Sequence, residues 1–321
     1  MNYLITGGAG FIGFNLVNVL SNNLNNKIVV FDNLSKQSLD SDFKKIIKKK
    51  NITFIKGDLK NISKRLKSKN FDYIYHLAAI LGVQKVIHKP YSTLVENIIS
   101  TKEIIEFAKT QKSLKKICFT STSEVYAKTL ESSLTKFPTP EKVDFLLRGD
   151  FNERSSYALS KIVGEYLLNY SGLKFVIFRP HNIFGARMGF VHVIPQLVKK
   201  FKDKKKNFIS VDNPHHKRTF CYIDYAIELM IKISHKKNTS NQIYNIGSPN
   251  KVIAISELAK QIKKILNSNK KINFIRAINK DHSPKKRKPD MNKSKFFLIR
   301  AHNFKQGLFS TVKWYENYYL K

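Results

Sequence analysis

Cysteine is scarce in this chain of 321 residues, and long hydrophobic runs are absent from it. The two cysteines, Cys118 and Cys221, both lie in apolar, strand-like stretches, which is typical of core thiols in a reducing compartment. No apolar run approaches the length needed to span a bilayer, and no basic leader precedes the first strand-like segment. We therefore expect no disulfide scaffold, no signal peptide and no membrane span, and we predict a cytoplasmic location.

Acidic residues are also few: 23 Asp and Glu face 58 Lys and Arg, which gives a formal net charge of +35. Such an excess is compatible with nucleic-acid binding, because clustered cations release counterions from phosphates. Here the lysines are scattered, and no aromatic platform interleaves with them as single-strand binders require. The charge favours a lysine-rich surface, and we consider a nucleic-acid partner the weaker interpretation.

Short apolar runs alternate with helical patterns through the first half of the chain, which predicts an α/β fold with a doubly wound parallel sheet. The predicted strands are Tyr3–Ile5, Ile28–Phe31, Thr53–Ile55, Tyr73–His76, Ile117–Thr120 and Phe175–Phe178. The predicted helices between them include Phe11–Leu20, Thr93–Thr110 and Ser156–Tyr170. These strands are apolar nearly throughout, as expected for strands buried on both faces.

The alternation changes after Arg179-Pro180, which suggests a second, smaller lobe. We expect residues 1–180 to form the cofactor-binding domain, with 219–250 returning to it through strands at Phe220–Ile223 and Ile243–Ile246. Residues 181–218 and 251–321 would form a smaller C-terminal substrate-binding lobe. The absence of a low-complexity linker predicts that the two lobes are tightly joined.

A glycine cluster connects the first strand to the first helix. Gly7, Gly10 and Gly13 allow a tight turn, close approach of backbone to a pyrophosphate and close helix packing, while Phe11 and Ile12 begin a helix whose N-terminus attracts anions. This arrangement is typical of a Rossmann dinucleotide-binding domain.

Asp32, followed by Asn33, ends the second strand, where a carboxylate accepts hydrogen bonds from ribose hydroxyls and repels a 2′-phosphate. The pattern therefore predicts NAD rather than NADP as the cofactor. A turn-forming role for Asp32 is the alternative.

Tyr157 and Lys161 are four residues apart in a helical stretch and so share one helix face. A nearby ammonium favours the phenolate of a tyrosine, which can then take the proton of a sugar hydroxyl while hydride leaves the same carbon. The polar run Thr122-Ser123-Glu124 follows an apolar strand, where ligands bind in α/β folds. We predict that Thr122 holds the same hydroxyl; a capped strand-to-loop transition is the alternative.

Further motifs resemble the extended short-chain dehydrogenase/reductase family. They are Lys56-Gly57-Asp58-Leu59, His76-Leu77-Ala78-Ala79, and Asn97 in a helix similar to the family's Asn-x-x-Gly-Thr element. The resemblance implies that Asp58 and Leu59 hold the adenine ring, and that Leu77, Ala78, Ala79, Asn97, Tyr157 and Lys161 belong to the cofactor site. An N-cap of the next helix is the alternative for Asp58.

Within this family the nucleotide-sugar epimerases and dehydratases are the most similar, and the motifs resemble UDP-glucuronate decarboxylases most. The motif Thr122-Ser123-Glu124-Val125-Tyr126 is similar to the decarboxylase element, and Ser123 stands where the related 4,6-dehydratases carry an aspartate. The resemblance also implies that Asn182 touches the phosphates and that Arg218 and Arg287 clamp pyrophosphate or a substrate carboxylate.

These motifs predict an enzyme that oxidises a nucleotide-sugar at C4 with NAD, in the first place a UDP-glucuronate decarboxylase. A 4-epimerase or a 4,6-dehydratase remains an alternative, as do an NAD-dependent dehydrogenase of a free small molecule and a nucleic-acid-binding protein on an inactive dehydrogenase fold. We also expect a homodimer, because Thr93–Thr110 and Ser156–Tyr170 resemble the family's paired dimer helices, and no metal site.

Overall fold

The structure is a computed structural model that describes residues 1–35, 40–67, 69–80, 83–147, 149, 152–153, 155–275, 284–297 and 303–319. The strands are β1 Asn2–Thr6, β2 Lys27–Asp32, β3 Ile52–Lys56, β4 Tyr73–His76, β5 Lys116–Thr120, β6 Phe175–Pro180, β7 Ile183–Phe184, β8 Phe208–Asp212, β9 Lys217–Arg218, β10 Cys221–Tyr222, β11 Gln242–Ile246, β12 Ile253–Ala254, β13 Lys271–Ile275 and β14 Lys286–Arg287. The α-helices are α1 Phe11–Ser21, α2 Ser41–Ile46, α3 Ile62–Arg65, α4 Val83–His88, α5 Pro90–Lys109, α6 Ala127–Glu131, α7 Ser155–Asn169, α8 Val193–Lys202, α9 Ile223–His235, α10 Ile255–Ile265 and α11 Phe304–Tyr319.

A seven-stranded sheet in the order β11-β6-β5-β4-β1-β2-β3 forms the centre of the fold. The ladders from β3 to β6 are parallel, and all five residues of β5 are buried. This confirms the predicted doubly wound parallel sheet. The strand order reverses between β1 and β4, and ligands of such sheets bind at the carboxyl ends of the strands beside that reversal.

Helices α5 and α7 pack against each other beside this sheet. Helix α5 begins three residues before the predicted start, with Pro90 in its first turn, where the missing N–H of proline costs nothing. Helix α7 carries Tyr157 and Lys161 as predicted, and its Gly164 packs on the ring of Phe119 in β5.

The described chain forms two compact units. The first comprises Met1–Val125, Gly149–Arg179 and Ile227–Tyr244, and the second comprises Tyr126–Arg148, Pro180–Ala226 and Asn245–Lys321. The second unit contains the small sheets β12-β9-β14 and β13-β8. Whether the boundaries expected from the sequence separate two domains remains a prediction.

One of the two strands expected to return to the large sheet does so and one does not. Gln242–Ile246 lies at the edge of the sheet beside β6. Cys221–Tyr222 pairs instead with Ile183–Phe184 in a separate two-stranded sheet. The reason is local, because helix α9 begins at Ile223 and leaves only two residues in extended conformation.

Candidate functional site

The glycine loop after β1 packs directly against the segment that follows β4. Gly7 has a φ of +73°, and a Cβ atom there would lie 2.6 Å from the backbone nitrogen of Ala78. A Cβ atom on Gly13 would lie 2.3 Å from the carbonyl oxygen of Gly7, so only glycine lets helix α1 approach the loop this closely. The loop therefore occupies the reversal point of the sheet, where a dinucleotide fits.

Helix α1 starts at this loop with backbone amides at its N-terminus. Its N-cap residue, Gly10, supplies no side-chain hydrogen bond, and Phe11 and Ile12 form the first turn. The N-terminus of a helix favours negative charge and offers N–H donors to a phosphate. Loop and helix together fit the pyrophosphate of NAD.

Asp32, the last residue of β2, is tied to the glycine loop. Its Oδ2 accepts a hydrogen bond from the backbone N–H of Ala9 at 3.0 Å, and its Oδ1 accepts one from Leu34 at 2.8 Å. The next residue, Asn33, accepts one from the N–H of Ser35 at 3.0 Å. The turn considered as an alternative is therefore present, and carboxylate oxygens can accept additional hydrogen bonds from ribose hydroxyls.

Asp58 and Leu59 follow β3 and have structural roles in the first unit. The Oδ1 atom of Asp58 accepts a hydrogen bond from the N–H of Lys60 at 3.0 Å and so caps the short 3₁₀ helix Leu59–Asn61. Leu59 is buried in the core beside the sheet. The capping role considered for Asp58 is thus present, and adenine binding by these residues stays a prediction.

The side chain of Asn97 connects the segment after β4 to the helix that carries Tyr157. Its Oδ1 accepts from the N–H of Ile80 at 2.7 Å, and its Nδ2 donates to the carbonyl oxygen of Ile80 at 3.1 Å and to Oγ of Ser160 at 3.2 Å. Ser160 in turn donates to the carbonyl oxygen of Tyr157 at 2.7 Å. Sequence reasoning missed Ser160, because a serine one position before the lysine carries no signal of its own.

Leu77, Ala78 and Ala79 lie between β4 and Ile80, next to the glycine loop. The N–H of Leu77 donates to the carbonyl oxygen of Thr6 at 3.1 Å, so the segment continues the alignment of β1 and β4. Because Asn97 binds both the backbone N–H and the carbonyl oxygen of Ile80, the segment has one well-defined path past Gly7. Leu77 and Ala78 thus lie against Gly7, and contact of these residues with the cofactor stays a prediction.

Tyr157 lies beside the polar turn that follows β5. The Thr122 hydroxyl and the charge of Glu124 both act on the Tyr157 phenol. Burial raises the pKa of Tyr157 above its usual value, the Glu124 charge raises it further, and the Thr122 hydroxyl opposes both. The structure therefore brings Thr122, Glu124 and Tyr157 together.

The turn itself is a short 3₁₀ helix, Ser123–Tyr126. The Oγ1 atom of Thr122 accepts a hydrogen bond from the N–H of Glu124 at 3.2 Å, so the capped transition considered as an alternative is also present. Ser123 is mostly buried in this turn. One hydroxyl, that of Thr122, thus binds the turn and acts on Tyr157.

Lys161 is 3% exposed, and its ammonium points to the end of β5. Its Nζ donates to the carbonyl oxygen of Thr120 at 2.8 Å and lies 6.0 Å from the centre of the Tyr157 ring. Burial lowers the pKa of Lys161 from 10.5 to about 7, against the charge of Glu165. The lowered tyrosine pKa expected from the sequence is not found in this arrangement, because burial and Glu124 outweigh the effect of the Thr122 hydroxyl.

In the second unit, Arg218 and Arg287 are register partners on the parallel strands β9 and β14. Both side chains are mostly buried, at 8% and 6% exposure, and Nη1 of Arg218 donates to the carbonyl oxygens of Lys217 and Lys285 at 2.9 and 3.1 Å. Two like charges in neighbouring positions repel each other, so the pair is suited to bind an anion.

Asn182 lies in the same unit and has a φ of +44°. Its Nδ2 donates to the carbonyl oxygen of Thr219 at 3.0 Å, and its own carbonyl oxygen accepts from the N–H of Cys221 at 3.1 Å. These bonds fix the segment that directly follows Arg218. A direct contact of Asn182 with the substrate phosphates stays a prediction.

In the part of the chain that the structure describes, no helix is both long and apolar enough to cross a membrane. Residues 3–247 match the model of the NAD dependent epimerase/dehydratase family.

Two curated relatives and one solved structure are among the most similar proteins. The UDP-N-acetyl-alpha-D-glucosaminuronate decarboxylase of Bacillus cytotoxicus is 31% identical over 98% of this chain and 97% of its own length. UDP-glucuronic acid decarboxylase 3 of Arabidopsis thaliana is 31% identical over 93% of this chain and 83% of its own length. The UDP-glucose 4-epimerase of Thermotoga maritima has the same fold, with a TM-score of 0.85, 24% identity and full coverage of both chains.

These similarities confirm the family, the Rossmann-type fold and the NAD dependence that the motifs predicted. They cover nearly the whole chain, including both units. The chain belongs to the NAD-dependent epimerase/dehydratase family and is an enzyme of that family.

Proposed function

We propose that this enzyme oxidises the sugar of a nucleotide-sugar at C4 and then removes a C5 carboxylate as CO₂, as a UDP-glucuronate decarboxylase does. The observation that carries the proposal is the cluster of Thr122, Glu124 and Tyr157 at the carboxyl end of β5. Two decarboxylases at 31% identity over more than nine-tenths of the chain support the choice among family activities.

NAD, when bound, supplies the acceptor for the hydride that leaves C4. In our proposal Tyr157 takes the proton of the C4 hydroxyl, and Thr122 holds that hydroxyl in position. Because burial and Glu124 raise the pKa of Tyr157, the phenolate needs a positive charge nearby, and Lys161 on the next turn of α7 is the cation that supplies it.

Oxidation gives a ketone at C4, which makes the bond from C5 to its carboxylate labile. The electron pair of that bond moves toward the ketone as CO₂ leaves, and a proton is then added at C5. With NAD bound, return of the hydride to C4 and of the proton from Tyr157 to the C4 oxygen would restore the alcohol, so the reaction needs no external oxidant. Glu124 lies beside Tyr157 and is our candidate for the group that acts at C5.

Ser123 argues against dehydration, since it stands where the dehydratases supply an aspartate. Arg218 and Arg287 form the anion site of the second unit, and we assign them the diphosphate or the carboxylate of the substrate. The remaining alternative is 4-epimerisation, in which the ketone turns over and no bond to C5 changes.

Two variants test the assignment in single turnovers followed by nicotinamide absorbance. Tyr157→Phe should abolish NADH formation while NAD binding persists, because only the proton acceptor is lost. Glu124→Gln should form NADH and then stall, because C5 chemistry is blocked after C4 oxidation. Glu257→Gln, at an exposed position of α10, is the matched control and should behave like wild type. Normal turnover by Glu124→Gln would make the epimerase the better assignment.

We also propose a homodimer formed through α5 and α7. Tyr91 of α5 and Tyr166 and Tyr170 at the end of α7 are large exposed side chains, of the kind that interfaces bury. Light scattering should give about twice the 37.2 kDa of one chain, and a monomer mass at micromolar concentration would contradict the proposal. The cytoplasmic location remains a prediction.

A further inference from the structure

The ring of Phe119, a core residue of β5, contacts two titratable side chains. Nζ of Lys161 lies over the ring at 4.7 Å from its centre. The ring of His76, the register partner of Phe119 on β4, is stacked on it with the centres 5.7 Å apart and the planes at 27°. All three side chains are buried. The face of an aromatic ring attracts a cation, and the attraction is strongest where water is excluded.

A hydrogen bond and the Phe119 ring together hold the Lys161 ammonium. An ammonium has three N–H donors. Within the described ranges, the hydrogen-bond acceptor of the Lys161 ammonium is the carbonyl oxygen of Thr120 alone. A buried ammonium with one acceptor is strongly disfavoured unless other groups stabilise its charge. The electron-rich face of Phe119 is in position to do so.

His76 is neutral and so does not compete with Lys161 as a cation. Thr101 donates its hydroxyl proton to the carbonyl oxygen of Asn97 at 2.8 Å, so it accepts from Nε2 of His76 at 3.4 Å. Nδ1 of His76 then accepts from Thr6 at 2.9 Å. Burial, followed by the charge of Lys161, lowers the pKa of His76 to about 3. The ring of Phe119 therefore faces one charge.

Gly164 fixes the place of the ring. A Cβ atom on Gly164 would lie 2.7 Å from Cζ of Phe119, so any other residue would push the ring away from helix α7. For the same reason a hydroxyl at Cζ does not fit, and tyrosine is not a conservative replacement for Phe119. Helix α7 thus holds the cation and, one turn later, leaves the space for the ring that supports it.

We propose that Phe119 is a positioning residue of the site, whose ring face stabilises the Lys161 ammonium and holds it beside Tyr157. The proposal deepens the proposed function, because it explains how a cation persists in a site that excludes water. The other charged groups near Lys161 are Glu165, which is paired with Arg179 at 2.9 Å, and Glu124 across Tyr157. Unlike these two carboxylates, the ring of Phe119 carries no net charge.

The test replaces Phe119 with 3,5-difluorophenylalanine, which keeps the shape of the ring nearly unchanged and weakens the negative charge of its face. The replacement is made in the full chain and in the Lys161→Met variant, and thermal midpoints are compared at pH 6. Fluorination should lower the midpoint by about 2 °C when Lys161 is present and leave it unchanged in Lys161→Met. The same replacement at Phe107, which is buried against Phe71, is the control for fluorination itself and should not depend on Lys161.

At pH 9 Lys161 has lost its proton. Fluorination of Phe119 should then change the thermal midpoint equally with Lys161 and with Lys161→Met. Equal losses with and without Lys161 at pH 6 would overturn the proposal. These midpoints do not depend on catalysis, so they remain informative if the proposed function fails. In active enzyme the fluorinated ring should slow NADH formation in a single turnover about 5-fold without changing the KM for NAD. A rate equal to that of the Phe107 control would likewise count against a role in the site.

Discussion

Replacing Lys161 with methionine should change how the stability of the protein depends on pH. Burial lowers the pKa of Lys161 to about 7 in the folded protein, against 10.5 for the ordinary side chain. Below pH 7 the lysine is charged in both states, and the folded state carries the full cost of removing that charge from water. As pH rises from 7 to 10.5 the folded protein holds a neutral lysine while the unfolded chain still binds the proton, so this cost shrinks and disappears.

The magnitude follows from the difference of the two pKa values, 10.5 − 7 = 3.5 units. At about 1.4 kcal/mol per unit, Lys161 lowers the stability of the wild type by about 5 kcal/mol at and below pH 7, relative to pH 10.5. A chain of this size shifts its thermal midpoint by about 2 °C per kcal/mol. The midpoint of Lys161→Met minus that of the wild type should therefore fall by roughly 10 °C between pH 7 and pH 10.5.

The assay is a set of thermal unfolding curves of nucleotide-free protein from pH 6 to pH 10.5. Lys204→Met is the matched control, because Lys204 is exposed in the loop between α8 and β8 and its removal should give a difference that is flat with pH. A flat difference for Lys161→Met as well would refute the reasoning. It would mean that Lys161 keeps an ordinary pKa in spite of its burial.

Two further predictions concern the residues around the cofactor site. Asp32→Ser should reduce the preference for NAD⁺ over NADP⁺ by about 10-fold or more, because the repulsion of a 2′-phosphate is lost. Calorimetric titrations measure both affinities, and tighter binding of NADP⁺ by the wild type would contradict the role given to Asp32. Asn97→Leu removes three hydrogen bonds and should lower the thermal midpoint by about 6 °C. Ser160→Ala removes two, to Asn97 and to Tyr157, and should lower the midpoint by about 4 °C. A loss of only about 2 °C in Asn97→Leu, smaller than that in Ser160→Ala, would show that the bracing of Ile80 contributes nothing.

The sequence was sufficient to predict the cofactor side of the molecule, because local rules determine it. A glycine loop between a strand and a helix, and an acidic residue at the end of the next strand, each depend on a few neighbouring residues. The apolar strands are recognisable for the same reason, since strands buried on both faces are apolar at nearly every position. Tyr157 and Lys161 share a helix face through their spacing alone.

The state of the catalytic candidates was not predictable, because it depends on burial and on partners distant in sequence. The lysine was expected to lower the pKa of Tyr157, yet its ammonium donates to a carbonyl oxygen 41 residues away, and burial raises the pKa of the phenol. The three hydrogen bonds of Asn97 span 17 and 63 positions and leave no trace in the spacing of residues. The strand expected at Phe220–Ile223 failed for a local reason, the early start of helix α9.

The central claim is that a hydride leaves C4 of a nucleotide-sugar and returns to the same carbon of the same molecule. UDP-glucuronate that carries deuterium at C4 tests it most directly, with the masses of the product and of the nicotinamide read after many turnovers. We expect a product that has lost one CO₂ and has kept its deuterium, with no accumulation of NADH. Deuterium in released NADH would contradict the internal cycle and assign the chain to the simple dehydrogenases.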